Sequence, residues 1–289
     1  MSIPHSELIL NPDGSIYHLN LLPEDIAHTV LLVGDPDRVS LVSQYFDIIR
    51  VKKQKREFVT HTGTLNGKEL TVISTGIGTD NIDIVLNELD ALVNIDFETR
   101  SVKQEFTTLR FIRLGTSGSL QPDIPVNDFL ISTHGLGFDN LLHFYKSDHV
   151  QLVDFQEYFV KYTNWYKDGF APYIVPCSSA LQAIFETPGV HKGCTATAVG
   201  FYGPQSRKLR LEVRDPDFNE KLTAFAFKGV RITNLEMETA GIYGLSALLG
   251  HQAVSLNCIL ANRPLKTFSS NPKKAIDSLI QYALEHLAS

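Results

Sequence analysis

Two carboxylates flank a methionine in Asn234-Leu235-Glu236-Met237-Glu238-Thr239-Ala240, where an apolar strand pattern gives way to a helical one. Gly229-Val230-Arg231-Ile232-Thr233 leads in as a strand, and Ala240, Tyr243, Gly244, Ala247 and Leu248 recur behind it at helical spacing. An ionised glutamate only accepts hydrogen bonds, and its two oxygens are spaced to take them from adjacent hydroxyls. Vicinal hydroxyls are what a ribose offers, and a thioether beside them makes a soft apolar wall. The carboxylates have a second reading, as anions capping the positive end of a helix. The segment alone does not choose between the two.

Other residues suit an anion. Gly34-Asp35-Pro36-Asp37-Arg38 falls directly between a buried strand pattern and a helix. Glycine there lets the backbone approach a ligand closely, and a helix N-terminus supplies free N–H donors. Arg38 adds a planar fork that matches phosphate. Arg113-Leu114-Gly115-Thr116-Ser117-Gly118 repeats the arrangement at another strand end. Arg56 is a third candidate, although Lys52-Lys53-Gln54-Lys55-Arg56-Glu57 reads first as a solvated basic face. None of these is a phosphate signature by spacing. Gly76-Ile77-Gly78 lacks the third glycine of a dinucleotide fingerprint, and there is no Walker loop. Gly118 sits next to Ser117, whereas a hydrolase elbow needs glycines two residues either side of its serine.

Phe201-Tyr202-Gly203-Pro204-Gln205-Ser206-Arg207 offers a third chemistry. Gln205 carries donors and an acceptor, so it can match the edge of a pyrimidine that presents C=O and N–H. Arg207 can donate to a carbonyl and stabilise negative charge developing there, and Phe201 can stack on a ring. By the plainer reading, Gly-Pro makes a turn, Phe201 fills core, and Gln205 and Arg207 face water.

Strand and helix signals alternate along the whole chain and place these segments at strand ends. Thr29-Val30-Leu31-Leu32-Val33 reads as a buried strand, followed by a turn and a helix over about 38–46. Strands over 59–65 and 69–74 flank Asn66-Gly67, a strong hairpin signal. Ile82, Val85, Leu86, Leu89, Leu92 and Val93 form a helical stripe. Strands follow near 109–114, 129–133, 195–199 and 253–260. The closing helix carries Ile276, Leu279, Ile280, Ala283 and Leu287 after Asn271-Pro272. The stretch 94–108 is polar and aperiodic, a surface excursion. Hairpins mixed with crossovers predict one α/β domain over 1–289, with a mixed rather than purely parallel sheet.

The totals bound the function. The chain has 289 residues, 43% hydrophobic and 20% charged, as an ordinary globular protein does. A net charge of −6 argues against a nucleic-acid surface, so any anion site must be local. Cys177, Cys194 and Cys258 are far apart without metal-ligand spacing, and read as buried free thiols in a reducing compartment. The N-terminus lacks a signal peptide, and the most apolar window, 241–261, is broken by His251, Gln252 and Asn257. A cytoplasmic protein with no membrane or nucleic-acid partner is expected.

Taken in order, six segments resemble the nucleoside phosphorylase family in its uridine-cleaving branch: Gly34 to Arg38, Arg56-Glu57-Phe58, Ser74-Thr75-Gly76-Ile77-Gly78, Arg113 to Gly118, Phe201 to Arg207, and Glu236-Met237-Glu238. The resemblance runs from about Tyr17 to the C-terminus. It implies a mixed central sheet, a distorted barrel, flanked by helices. It matches Gly34, Arg38, Arg113 and Thr116 to phosphate-binding positions, and Arg56 to an arginine reaching a neighbouring subunit's phosphate. His18 matches a histidine crossing the same interface towards the ribose 5′-hydroxyl. Met237 and Glu238 match ribose contacts with Glu236 beside them; Gln205 and Arg207 match the uracil-holding pair, with Phe201 and Arg263 nearby. Glu57 matches a residue that in some relatives helps bind a monovalent cation such as potassium. No other cofactor is implied, and the implied assembly is a dimer built into a hexamer.

The chain also departs from that pattern. Val199 stands where relatives have an acidic residue, Thr79-Asp80-Asn81 replaces a more usual Gly-Pro-Ser, and the 94–108 excursion is absent from shorter members. The implied reaction is uridine + phosphate = uracil + ribose 1-phosphate, without a covalent enzyme intermediate. Catalysis would fall to Arg38, Arg113, Glu238, Gln205 and Arg207. Asn257 to Asn262 offers no acid to protonate a purine N7, which favours a pyrimidine. The alternatives are a purine nucleoside phosphorylase, a nucleosidase using water, and a nucleoside-binding sensor.

Overall fold

A computed structural model describes residues 2–165 and 169–288. Strand β1 (Thr29–Val33) is buried at every position, as an unbroken apolar run requires when both faces are covered. Asp35 then starts α1 (Pro36–Ser43): its carboxylate accepts the Asp37 N–H at 3.0 Å, and Pro36 takes the first helical position. The helix therefore begins two residues before the expected 38. Strands β2 (Ile48–Lys55), β3 (Phe58–Leu65) and β4 (Lys68–Ser74) form an antiparallel meander. Asn66 and Gly67, at φ 49° and 75°, make the predicted two-residue turn between β3 and β4.

After α2 (Thr79–Asn94), the 94–108 excursion forms a small hairpin of β5 (Ile95–Asp96) and β6 (Ser101–Val102). Its Arg100 donates to the carbonyls of Ile3 and Pro4, pinning the N-terminal segment to it. The chain continues through β7 (Arg110–Ser119), β8 (Phe129–Gly137), α3 (Val153–Thr163), β9 (Tyr173–Pro176) and α4 (Ser179–Phe185). Next come β10 (His191–Thr197), α5 (Phe218–Ala224), β11 (Ala226–Phe227), β12 (Val230–Glu236) and α6 (Thr239–Leu249). It ends with β13 (Gln252–Asn262), β14 (Thr267–Phe268) and α7 (Pro272–Ala288).

The predicted mixed sheet is present, and part of it closes. β7 pairs parallel with β13, β13 antiparallel with β8, β8 parallel with β10, and β10 parallel with β12. β12 then pairs antiparallel with β7 through Asn234 opposite Ser119 and Leu235 opposite Gly118, which completes a five-stranded barrel. β1, β4, β3 and β2 extend outward from β7 as an open arm. Closure has a direct consequence for function. The C-terminal ends of β7 and β12, far apart in sequence, lie against each other.

Apolar layers cover this frame on several sides. α2 and α6 pack on one cluster that includes Leu86, Leu89 and Tyr243; α1, α4 and α7 pack on another around Val39, Leu181 and Leu279. A third, aromatic cluster of Phe155, Phe159, Phe218 and Phe225 sits under α3 and α5.

Between the barrel strands runs a chain of buried hydrogen bonds. Asn257 Nδ2 donates to Ser132 Oγ at 3.0 Å, Ser132 shares a hydrogen with Thr195 Oγ1, Thr195 donates to Asn234 Oδ1 at 2.8 Å, and Asn234 Nδ2 donates to Ser117 Oγ at 2.9 Å. These residues come from β13, β8, β10, β12 and β7 in turn. A fully satisfied buried network of this kind rigidifies its surroundings.

Candidate active site

The strand ends open on one cavity of about 640 Å³. Gly34 and Arg38 reach it from the end of β1 and the start of α1, Gly76 and Ile77 from beyond β4, and Arg113, Thr116, Ser117 and Gly118 from β7. Glu236, Met237 and Glu238 enter from the β12–α6 junction, and Phe201, Gln205 and Arg207 from the segment after β10. Leu260, Ala261 and Phe268 close the remaining wall. Four segments that the sequence singled out separately thus share one hollow.

Arg113 is its electrostatic centre. Its guanidinium donates from Nη2 to Glu238 Oε2 at 2.6 Å, lies 3.1 Å from Glu236 Oε2, and donates from Nη1 to Asn257 Oδ1 at 3.2 Å. Burial pulls its pKa down, but Glu236 and Glu238 outweigh burial and hold it above the ordinary arginine value. Gly115 makes the arrangement possible, since a Cβ there would sit 1.7 Å from Arg113 Nη1. Arg38 is also buried and donates to the Leu114 carbonyl at 3.1 Å. Burial first, then the charge of Arg113, lowers its pKa. Two guanidinium groups held this closely make a local cationic cradle in a chain of negative net charge.

The two carboxylates divide the alternatives between them. Glu236 Oε2 accepts the N–H groups of Glu238 and Thr239 and the Thr239 hydroxyl, each at 3.0 Å, while Oε1 accepts the Thr197 hydroxyl at 2.7 Å. It caps α6, and most of its acceptor capacity is spent. Among the described residues Glu238 accepts only the Gly78 N–H at 3.0 Å and Arg113, leaving lone pairs on both oxygens. Gly78 turns its N–H towards Glu238 from a backbone with φ 97°, which a side chain would strain.

At the opposite end, Gln205 is buried and Arg207 half-buried. Arg207 Nη1 donates to Gln205 Oε1 and, at 2.8 Å, to the Phe201 carbonyl, and its guanidinium carbon lies 3.8 Å from the Phe201 ring centre. Burial, then the nearby Arg263, pushes the Arg207 pKa down to about 10. Arg263 stands behind this pair and donates to the Gln205 carbonyl at 3.1 Å.

Besides Arg263, three candidates do not line the cavity. Arg56 is exposed at the tip of the β2–β3 hairpin, and His18 bonds Glu88 on α2 at 2.6 Å. Their chain neighbours meet: Lys55 Nζ donates to the Tyr17 carbonyl at 2.5 Å and lies 4.4 Å from that ring's centre. Glu57 Oε1 accepts the Asn81 side-chain N–H at 3.2 Å.

Sequence reasoning passed over Asn257 and Ser255 as partners of Arg113, and Leu260, Ala261 and Phe268 as cavity wall. The signal was there for the first two: Ser255 and Asn257 alternate with Val254, Leu256 and Cys258, which sets one polar face on a strand in the interior.

Fold and cavity define the class: an α/β protein whose mixed barrel gathers two buried arginines, a carboxylate with free lone pairs and a glutamine–arginine pair around one cavity. The family follows from comparison. The model of the phosphorylase superfamily matches residues 28–285, and the chain belongs to that superfamily. It is 30% identical to a uridine phosphorylase of Thermococcus kodakarensis over 96% of this chain and 88% of the relative. Identity is 29% to a uridine phosphorylase of Escherichia coli, over 86% of this chain and 87% of that protein. The crystal structure of a Trypanosoma brucei nucleoside phosphorylase, described as showing uridine phosphorylase activity, superposes with a TM-score of 0.87 at 30% identity, covering 97% of this chain and 99% of the other. Among the described residues no helix is long and apolar enough to cross a membrane.

Proposed function

We propose that this enzyme is a uridine phosphorylase, transferring the pentosyl group of uridine to inorganic phosphate to give uracil and ribose 1-phosphate. The observation that carries the reading is the shared cavity: the Arg38–Arg113 cradle, the Glu238 carboxylate and the Gln205–Arg207 pair border one space. Phosphate rests on Arg38, Arg113, Thr116 and the Gly34 backbone. The ribose hydroxyls donate to Glu238, with Met237 against the sugar and Glu236 holding the frame. Uracil meets Gln205 and Arg207, with Phe201 at its face and Arg263 behind.

The charges then explain the chemistry. As the glycosidic bond stretches, positive charge grows on the sugar and negative charge on the base. Phosphate, fixed beside C1′, stabilises the first and then bonds to it; Arg207 and Gln205 stabilise the second. Donors placed in advance at a developing charge are worth about 10²–10³ in rate each. The β13 wall presents Leu260 and Ala261 where a purine would need an acid, which supports a pyrimidine substrate.

Arg56 and His18 enter this reading from a second copy, since neither lines the cavity of its own chain. A dimer, repeated into a hexamer, supplies them.

The test is base release from uridine and from inosine, with and without phosphate. Strict phosphate dependence, ribose 1-phosphate as product and a preference for uridine support the proposal. Release of uracil at equal rate in phosphate-free buffer overturns it in favour of hydrolysis.

A further inference from the structure

The pair that reads the base sits on a weakly built segment. Gly203–Gln205 forms a single 3-10 turn, Ser206 follows in the left-handed region at φ 53°, and Phe201 and Tyr202 are exposed. The turn's own backbone bonds, from Gln205, Ser206 and Arg207, all return to Tyr202 or Gly203. They shape the turn without attaching it to the barrel. Attachment comes from two side chains that donate to the same atom, the Gln205 carbonyl: Arg263 Nη2 at 3.1 Å and Asn219 Nδ2 at 3.3 Å.

Asn219 belongs to α5, which is tied to the barrel more firmly than the turn is. Phe218 and Leu222 bury into the aromatic cluster, Thr223 Oγ1 donates to the Leu120 carbonyl at 3.0 Å, and Gln121 Nε2 donates to the Thr223 carbonyl at 3.0 Å. A continuous path of bonds therefore runs from the end of β7 through α5 and Asn219 to the backbone of Gln205. The free ends of the two anchors, Asn219 Oδ1 and Arg263 Nη1, are both buried without a partner among the described residues; Asn219 is held here by its bond to Gln205, and Arg263 by its bonds to Gln205 and, at 3.5 Å, to the Ser206 carbonyl.

We propose that Asn219 is a positioning residue for base selection, fixing Gln205 through its carbonyl so that the Gln205 amide and Arg207 face the substrate. The inference rests on the base site assigned above. Asn219 touches no substrate; it decides where the groups that do so are held.

The experiment compares Asn219→Asp and Asn219→Ala with Arg207→Ala, measuring KM for uridine and for phosphate separately, with melting temperature as a check on folding. Aspartate keeps the size of asparagine but cannot donate, so it isolates the hydrogen bond from shape. Loss of one such bond predicts a rise in uridine KM of roughly three- to tenfold in both Asn219 variants, with phosphate KM changed less than about twofold. An Asn219→Asp enzyme with wild-type uridine KM overturns the proposal. So does an equal rise in both KM values, which would mark general loosening. If Arg207→Ala also leaves uridine KM unchanged, the base site itself is misassigned; if Arg207→Ala raises it and Asn219→Asp does not, only the positioning role fails.

Discussion

Replacing Glu238 by glutamine tests the centre of the site with a change of one charge and almost no volume. Two interactions are at stake. The first is the bond from Arg113 Nη2, 2.6 Å long between side chains that are each only 7% exposed. Breaking a buried ion pair usually costs about 3–5 kcal/mol because a charge is stranded. Here Glu236 remains 3.1 Å from the same nitrogen, so the loss falls to that of one charge-assisted hydrogen bond, about 1.5–3 kcal/mol. The second is acceptance from the ribose hydroxyls, where the new amide turns donors towards donors. The two share one side chain and do not add fully. A combined loss of about 3–4 kcal/mol corresponds to a fall of roughly 10²–10³ in kcat/KM for uridine. The assay follows uracil release at saturating phosphate with uridine and with 2′-deoxyuridine, on protein whose melting curve shows it folded. The preference for the ribonucleoside that the carboxylate creates should narrow in the variant. Uridine kcat/KM within threefold of wild type would refute the placement of Glu238 against the sugar.

Three further outcomes follow from the same geometry. Gly115→Ala should lower both stability and activity, the latter about 10²-fold, since the new methyl would sit 1.7 Å from Arg113 Nη1 and push that buried guanidinium off Glu236 and Glu238; a folded variant with equal activity in a steady-state assay would show that Arg113 is not needed where it sits. Arg38→Ala should raise phosphate KM about 10–10²-fold and leave uridine KM little changed, as loss of charge-assisted bonds to one substrate implies; a matched rise in both, from two-substrate kinetics, would contradict that role. His134, on β8, has its pKa held below the ordinary 6.5 by burial. The unfolded chain thus takes up a proton near that pH that the folded chain refuses, and stability declines as pH falls through about 6.5. Melting temperatures between pH 8 and 5 should fall less in His134→Gln than in wild type, and identical slopes would count against the mechanism.

Local signals were legible where one physical rule dominates. The β1 run reads to the residue because a strand buried on both faces needs no alternation. The Asn66-Gly67 turn reads because only residues tolerant of positive φ suit it. β2 did not read as a strand. It is the sheet's outer edge, its burial alternates between exposed and partial, and lysines there discourage pairing with another chain. The same lysines make 52–57 look like a solvated face, which it partly is. α3, β9 and α4 were missed for another reason. Phe155, Phe159 and the Tyr173–Pro176 strand are sorted by packing into the aromatic cluster and against β8, and neither partner lies near in sequence. The pinning of the N-terminal segment by the 94–108 stretch could not be read, because it depends on Arg100 reaching Ile3 and Pro4.

The site was legible as parts because each part ends a strand, and strand ends in α/β sheets are where ligands bind. What could not be read was their meeting. β7 and β12 carry Arg113 and Glu236, and only the antiparallel closure at Ser119–Asn234 brings those side chains within 3.1 Å of each other. That closure is sealed from inside by Asn257, Ser132, Thr195, Asn234 and Ser117, polar residues that composition alone would have sent to the surface. Apolar residues would pack the barrel as well, but they could not bond Arg113. Asn257 joins the two tasks: one end of its amide bonds the ring, the other accepts from Arg113 Nη1 at 3.2 Å. A neutral partner on that nitrogen adds no further negative charge, whereas a third carboxylate would leave the group of Arg38, Arg113, Glu236 and Glu238 net negative and repel an anion. The barrel's polar lining and the setting of Arg113 are therefore one construction, and its strength lies in hydrogen bonds that are already complete without a ligand.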